Sequence, residues 1–473
     1  MDKNKTLINI SRKTFIQVTA LLLGLLIVAI VLTYVIPSGR FGTLPDGSTD
    51  YTVYEQTDGV HGIPLWKGIL APILVFGSGD GLTLIMLSLF LLIISAAFQV
   101  MNDAGGIAAL VGSVSERFKS RRRLMAALIS LLFMAFGAFL GLFEEMLTML
   151  PVITVLCLAV GYDSFTGFLI CIISCGFGFA SAITNPFTVL LACEIIGANP
   201  VEHIWYRVII FIVMYLLLQC FIFFYLRKIE KSPENSYTYE HDQRIRSTAN
   251  LNDTAAAAGS KKTRVVYAVF LLCSLALIGI CSFSSALRGY TVPVLIAYFL
   301  IFGILAGVLC TSSFKKVMKS FWSGFTGALP TIVFIGVSAS IKYVFDEGMV
   351  LPTIVNQINL LAKGKNIFLI ALIIYAVVLV LEFFISSSTA KAILIMSLLA
   401  VVNLGLTDQM SVLIYTFADG YTNVLFPTSP VLLISLSMIE FNYFKWVKKS
   451  LPLFAVNLVL VIGFILLGIV IGY

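Results

Sequence analysis

The chain has 473 residues, of which 59% are hydrophobic and only 12% charged, and its mean hydropathy is +1.01. No soluble core absorbs that much apolar surface, so a soluble enzyme or binding module is excluded and an integral membrane protein is expected. The net charge of +7 does not point to nucleic acid, because the basic residues fall in short clusters between apolar runs rather than along one face.

The first apolar run, about 15–36, follows Lys3, Lys5, Arg12 and Lys13. It is too long for a signal peptide and lacks a clean small-residue cleavage pattern, so it reads as a retained span. Residues 37–63 carry Gly, Pro and Asp with Tyr51, Val53 and Tyr54 and predict a small external hairpin. Spans follow at about 82–101, 164–196 and 207–226, then a linking span at 264–283. The later spans lie at about 291–310, 324–345, 411–438 and 450–472. Between the halves, the polar stretch 227–263 has too little apolar surface to order itself and reads as a flexible cytoplasmic linker.

Lys and Arg gather at the N-terminus, at Arg117 to Arg123, at Arg227 to Lys231 with Lys261 to Arg264, at Lys315 to Lys319 and at Lys445 to Lys449. If all of these are cytoplasmic, as short basic loops tend to be, residues 124–162 enter and leave on one side as a re-entrant hairpin. The same reasoning makes 367–405 a hairpin from the opposite face, with its tip at Ser386 to Lys391. The chain then divides into inverted repeats over 1–226 and 284–473, with the N-terminus cytoplasmic in the plasma (inner) membrane.

Two polar, proline-bearing knots interrupt the spans at 164–196 and 411–438: Ser181-Ala-Ile-Thr-Asn-Pro-Phe-Thr188 and Thr422-Asn-Val-Leu-Phe-Pro-Thr-Ser429. Pro186 and Pro427 are read as equivalent. Unwound backbone at membrane depth is tolerated only where it lines a cavity or is buried in protein, and paired broken helices point to a transporter's substrate site. Ser181, Thr184, Asn185 and Thr188, and Asn423, Thr428 and Ser429, surround the two breaks, where freed carbonyls suit a cation and half-helix amides suit a carboxylate. An ordinary proline kink mended by Ser and Thr is the alternative for either knot alone.

Glu144 and Glu145, at the first hairpin tip, are adjacent acids deep in apolar sequence. They read as binding a proton, a metal ion or a substrate amine in a cavity; the alternative is solvation at the interface, or capping of the next helix at Met146. Ser386, Ser387, Ser388 and Thr389 offer hydroxyls and helix-start amides at the second tip, either to an anionic group or as simple caps. Lys391 is an ammonium at mid-membrane depth. It is expected to bind a substrate carboxylate, to stand in for a coupling cation, or to pair with Glu144, Glu145 or Asp419. Glu382 is a further intramembrane acid. The eight cysteines lie in or at the ends of apolar runs and the three histidines are scattered, so neither a metal cluster nor a disulfide framework is expected. No cofactor is predicted, with Na⁺ or H⁺ coupling left open.

These motifs resemble the four-carbon dicarboxylate anaerobic carrier-like family of the ion transporter superfamily, in its branch of basic amino acid antiporters. The resemblance rests on Phe143-Glu-Glu145 with Pro151, Gly161-Tyr-Asp163, Thr184-Asn-Pro-Phe187, Leu381-Glu-Phe-Phe384, Asp419-Gly-Tyr-Thr-Asn423 and Phe426-Pro-Thr-Ser429, and covers nearly the whole chain. It implies an all-α inverted-repeat secondary transporter in which two hairpins and two broken helices move as an elevator against a dimeric scaffold. Substrates of the wider group include dicarboxylates, acyl amino acids and arginine exchanged for ornithine. The second tip departs from the family's Pro-Ser-Gly-Ser-Gly-Gln type of loop, so Na⁺ coupling at that tip is not carried over.

The expected function is exchange of small amino acids, basic ones preferred, with a four-carbon dicarboxylate carrier as the alternative and a channel as a less favoured third. A membrane-embedded enzyme would need a nucleophile with a base, or a metal triad, in the bilayer, and no His falls within an apolar span.

Overall fold

The computed structural model describes residues 12–43, 49–57, 62–118, 120–248, 261–283, 287, 290–362, 364–385, 388–401 and 404–473. Among them, eight helices are long and apolar enough to cross a membrane: Phe15–Thr33, Gly81–Asp103, Arg122–Leu140, Ile204–Lys231, Val292–Thr311, Phe314–Glu347, Ile367–Phe384 and Tyr443–Ile471. Their outer faces leave side chains such as Ile27, Leu216 and Val459 largely uncovered, which suits hydrocarbon and not water. Helices cover the expected spans, though Phe314–Glu347 and Tyr443–Ile471 begin well before the expected 324 and 450, and Lys261–Phe283 is not among the eight.

The strands Gly39–Thr43 and Thr49–Gln56 pair antiparallel, with Phe41 opposite Tyr54, as their composition predicted. Helices not anticipated include Leu65–Leu74, Gly106–Phe118 and Leu351–Ala362. At 10, 13 and 12 residues they are too short to read as spans.

One group of helices forms a frame, with Gly81–Asp103 packed along Thr291–Thr311 and Phe314–Gly327, and Arg12–Thr33 along Leu329–Glu347. The other group holds the hairpins and broken helices. The first hairpin has arms Arg122–Leu140 and Met146–Ala159, and the second has Ile367–Phe384 and Ser388–Val401. The first broken helix is Ser164–Ala180 then Pro186–Ile196; the second is Asp408–Thr422 then Pro430–Met438. In each hairpin the first arm packs on the first half of its own broken helix; the second arm Ser388–Val401 packs on the second half of the first broken helix, whereas Met146–Ala159 packs chiefly on Ser164–Phe168 and more lightly on Pro430–Met438.

The broken helices cross almost backbone to backbone. A Cβ added to Gly420 would lie 2.1 Å from the Ala180 Cα, and one on Gly176 would lie 2.2 Å from Val424 Cγ1. Only small residues permit that approach, and it sets the two breaks side by side.

The stretch 227–263 is ordered where described, contrary to the expected flexible linker. The helix Ile204–Lys231 runs straight into it, and Tyr239–Thr248 forms a further helix. Asp242 accepts hydrogen bonds from the Ser164 amide and hydroxyl and from Thr238, while Arg244 pairs with Glu440. Tyr237 packs against Phe165, Tyr225 and Phe441. These anchors supply the burial that the stretch lacks on its own, a tertiary gain that composition does not register.

Candidate transport site

The first break is built by Asn185 and Pro186. A residue before proline is disfavoured in helix, and Asn185 adopts φ −52° and ψ 119°, outside it. Its side-chain oxygen then accepts from the amides of Phe187 (2.9 Å) and Thr188 (3.3 Å), capping the restarted half-helix, while Pro186 at the first helical position has no N–H to satisfy.

The first hairpin tip completes this arrangement. Residues Phe136–Leu140 form a π-helical turn, whose wider winding leaves carbonyls facing the break. Ala138 O accepts from the Ile183 and Thr184 amides (3.0 and 3.2 Å), Phe139 O from the Thr184 hydroxyl (3.4 Å), and Gly137 O from the Asn185 amide group (3.4 Å). Gly141 ends the arm at φ +68°, and a Cβ there would lie 2.4 Å from Asn185 Oδ1. The unwound backbone is thus satisfied by the tip it faces.

The second break differs from the expected register. Its half-helix starts at Pro430, capped by Ser429, whose hydroxyl accepts from the Leu432 amide (3.4 Å). The structural counterpart of Asn185-Pro186 is therefore Ser429-Pro430, and Pro427 lies within the unwound segment. A cap followed by proline at the first helical position recurs because that is where proline costs a helix nothing. The carbonyl of buried Thr428 accepts from Ser338, on the frame helix Leu329–Glu347.

The second tip holds an ion triad. Lys391 Nζ lies 2.5 Å from Glu382 Oε2 and 2.8 Å from Asp419 Oδ1, and all three side chains are at most 1% exposed. Ser388 donates to Asp419 Oδ2 (2.8 Å), Thr422 to Glu382 Oε2 (3.1 Å), and Tyr415 fixes Ser388 by donating to its carbonyl (2.5 Å). Of the partners considered for Lys391, the structure selects Asp419 and not Glu144 or Glu145. In this conformation the ammonium is enclosed by carboxylates rather than open to a substrate carboxylate.

Glu382 enters this cluster without having been placed among the binding residues. The signal was available: Glu382 and Lys391 stand just before and just after the turn between the arms ending at Phe384 and starting at Ser388, so opposite charges face each other across one tip. Thr422 stood in the second knot without being singled out as a ligand, and Tyr415 had no sequence signal, since hydroxyls are common in membrane helices.

The remaining expected residues divide clearly. Ser181 returns its hydroxyl to Phe177 O (2.6 Å), and Asn423 donates to Asp419 O (3.0 Å), so both mend their own helices. Thr188 is fully buried with its hydroxyl unpartnered among the described residues. Glu144 and Glu145 are half-buried; the Phe143 amide donates to Glu145 (3.2 Å), and Glu144 has no ion pair among the described residues. Thr389 is exposed. Ser386 and Ser387 lie outside the described residues.

A family model described as C4-dicarboxylate anaerobic carrier matches residues 15–470. The chain belongs to this family. Over 436 residues the carrier is 25% identical to the Escherichia coli K12 protein named "Putative basic amino acid antiporter YfcC", a match covering 88% of this chain and 83% of the relative. It is 24% identical over 517 residues to an uncharacterized Haemophilus influenzae protein, covering 99% and 98% of the two chains. A solved structure of the Alcanivorax borkumensis YdaH transporter resembles it with TM-score 0.46 and 16% identity, over 97% of this chain and 99% of that one. The carrier is a multi-pass membrane transporter.

Proposed function

We propose that this carrier is a secondary active exchanger of small amino acids that prefers basic ones, of the arginine and ornithine type. The observation that carries the reading is charge: Glu144 and Glu145 at one tip and Glu382 and Asp419 at the other stand against the single ammonium of Lys391. The other fully buried cation among the described residues, Arg207, is held near the start of the helix Ile204–Lys231 by Tyr473 and Gln409. Surplus carboxylate at membrane depth favours a cationic solute and opposes a dianion. Glu144 and Glu145 then hold the substrate amines, and the hydroxyls of Thr188 and Thr389 hold its carboxylate.

Support for an inverted-repeat elevator comes from the reciprocal packing of hairpin arms and broken helices. The second arms, Met146–Ala159 and Ser388–Val401, are 14 residues each, short of the ~20 that a full crossing needs, which suits re-entrant hairpins. The same reading takes the frame helices as a dimeric scaffold in the plasma membrane.

Proteoliposomes loaded with ornithine and given labelled arginine or succinate outside provide the test. Arginine uptake stimulated by internal ornithine is expected. Glu145→Gln should weaken arginine about tenfold or more by removing a charge-assisted bond, with little effect on a neutral amino acid. A second reading, a four-carbon dicarboxylate carrier coupled to H⁺ or Na⁺, is favoured by the description of the family model. Succinate or fumarate exchange without arginine exchange would establish it in place of the first.

A further inference from the structure

The triad at the second hairpin tip has the composition of a cation site. Glu382 and Asp419 contribute four carboxylate oxygens, and Ser388 and Thr422 add two hydroxyls that already bond those carboxylates. Hard monovalent and divalent cations are held by such oxygen sets. The occupant is instead an ammonium, since Lys391 Nζ sits 2.5 and 2.8 Å from the two carboxylates with no exposed surface. Glu382 Oε1 is buried and has no hydrogen-bond partner among the described residues.

Charge favours a cation here. Counted as ionised, two carboxylates and one ammonium leave the cluster at net −1, and without Lys391 the two acids would face each other in a dry interior unless a proton or another cation took its place. The position also matters for movement. Glu382 and Lys391 belong to the two arms of the second hairpin, and Asp419 belongs to the second broken helix just before its break. A cation here therefore joins the tip to the helix that carries the unwound segment.

We propose that Glu382, Asp419, Ser388 and Thr422 form a cation-binding cage whose occupant is the tethered ammonium of Lys391, so that this site needs no free Na⁺, and that removing the ammonium opens it to a monovalent cation. The proposal deepens the transporter reading by stating its coupling at this tip. The cage does not depend on which solute is carried.

The experiment measures the melting temperature of the purified full-length protein during titration with NaCl against choline chloride at matched ionic strength. The wild type should show no difference between the two salts. Lys391→Met should gain a saturable rise of about 2–5 °C with Na⁺ and none with choline. The double variant Lys391→Met/Glu382→Gln keeps the wild-type net charge at the cage and is the form expected to fold if the single variant does not; it should show a smaller Na⁺-specific rise. Lys391→Arg keeps a tethered cation and should remain insensitive. A Na⁺-specific rise in the wild type, or no rise in whichever Lys391→Met form folds, overturns the proposal. Failure of arginine exchange in liposomes would leave these results untouched, so the two readings fail separately.

Discussion

Asn185 illustrates how one side chain can serve as both cap and bracket. Its oxygen accepts two half-helix amides while its nitrogen reaches Gly137 O across the hairpin tip. Asn185→Ala is expected to cost about 1–2 kcal/mol from the lost cap and to abolish most uptake, because the break it orders lies at the proposed site. Asn185→Asp keeps the acceptor but loses the donor. Melting temperatures should therefore fall in the order wild type, Asp, Ala; an Ala variant that melts like the wild type would remove the cap from this account. The polarity of Asn185 was evident in the sequence as a binding signal. Its consumption by the hairpin was not, because Gly137 is 48 residues away and only the folded chain brings it near.

Two elements define the body that holds the site: the broken helices, which cross at Gly420 and Ala180. Gly420→Ala puts a methyl 2.1 Å from backbone, where no side-chain rotation relieves the clash. A loss of about 1–3 kcal/mol and a sharp fall in transport are expected, measurable together by thermal unfolding and liposome uptake. The helix Tyr239–Thr248 straps the beginning of the first broken helix, through Asp242 and Ser164, to the end of the second, through Glu440. The His241 imidazole and the Arg244 guanidinium hold the Glu440 carboxyl below the usual carboxylate range, against a smaller opposing effect of burial. Because the folded value is the lower one, the stabilisation is fully present above the ordinary carboxylate pKa of about 4.3 and is lost as pH falls through the folded value. Glu440→Gln should thus melt lower than the wild type at neutral pH, by an amount consistent with about 1 kcal/mol or less, and the gap should close in acid. A gap that persists unchanged at low pH would mean that the pair contributes nothing. Composition alone presented this segment as a linker, since its order comes from partners at Ser164, Phe165, Glu440 and Phe441.

For the whole molecule, the prediction concerns sidedness. Single cysteines at Lys119 and Lys316 should be labelled by a membrane-impermeant thiol reagent only after the cells are opened, whereas one at Lys363 should be labelled from outside in intact cells. Labelling of position 119 or 316 from outside would reverse the inverted arrangement and with it the elevator reading. The test is informative because Arg122–Leu140 and Ile367–Phe384 are long enough to cross fully, while their partner arms are not.

The sequence by itself determined that this chain lies in a bilayer, where its spans fall, and that its polar interruptions come in two pairs. Those follow from local composition: an apolar run of sufficient length has few alternatives to a helix in lipid, and proline with asparagine or serine interrupts it wherever it stands. Tertiary structure alone decided which groups meet. Lys391 had three candidate roles on the page of the sequence and took two carboxylates, one across its own hairpin turn and one from a helix 28 residues onward. Pro427 gave way to Pro430 as the counterpart of Pro186, because the cap that makes proline tolerable depends on where the helix restarts. Such choices rest on Coulomb and hydrogen-bond terms between residues distant in sequence, which become defined only when packing fixes their separation.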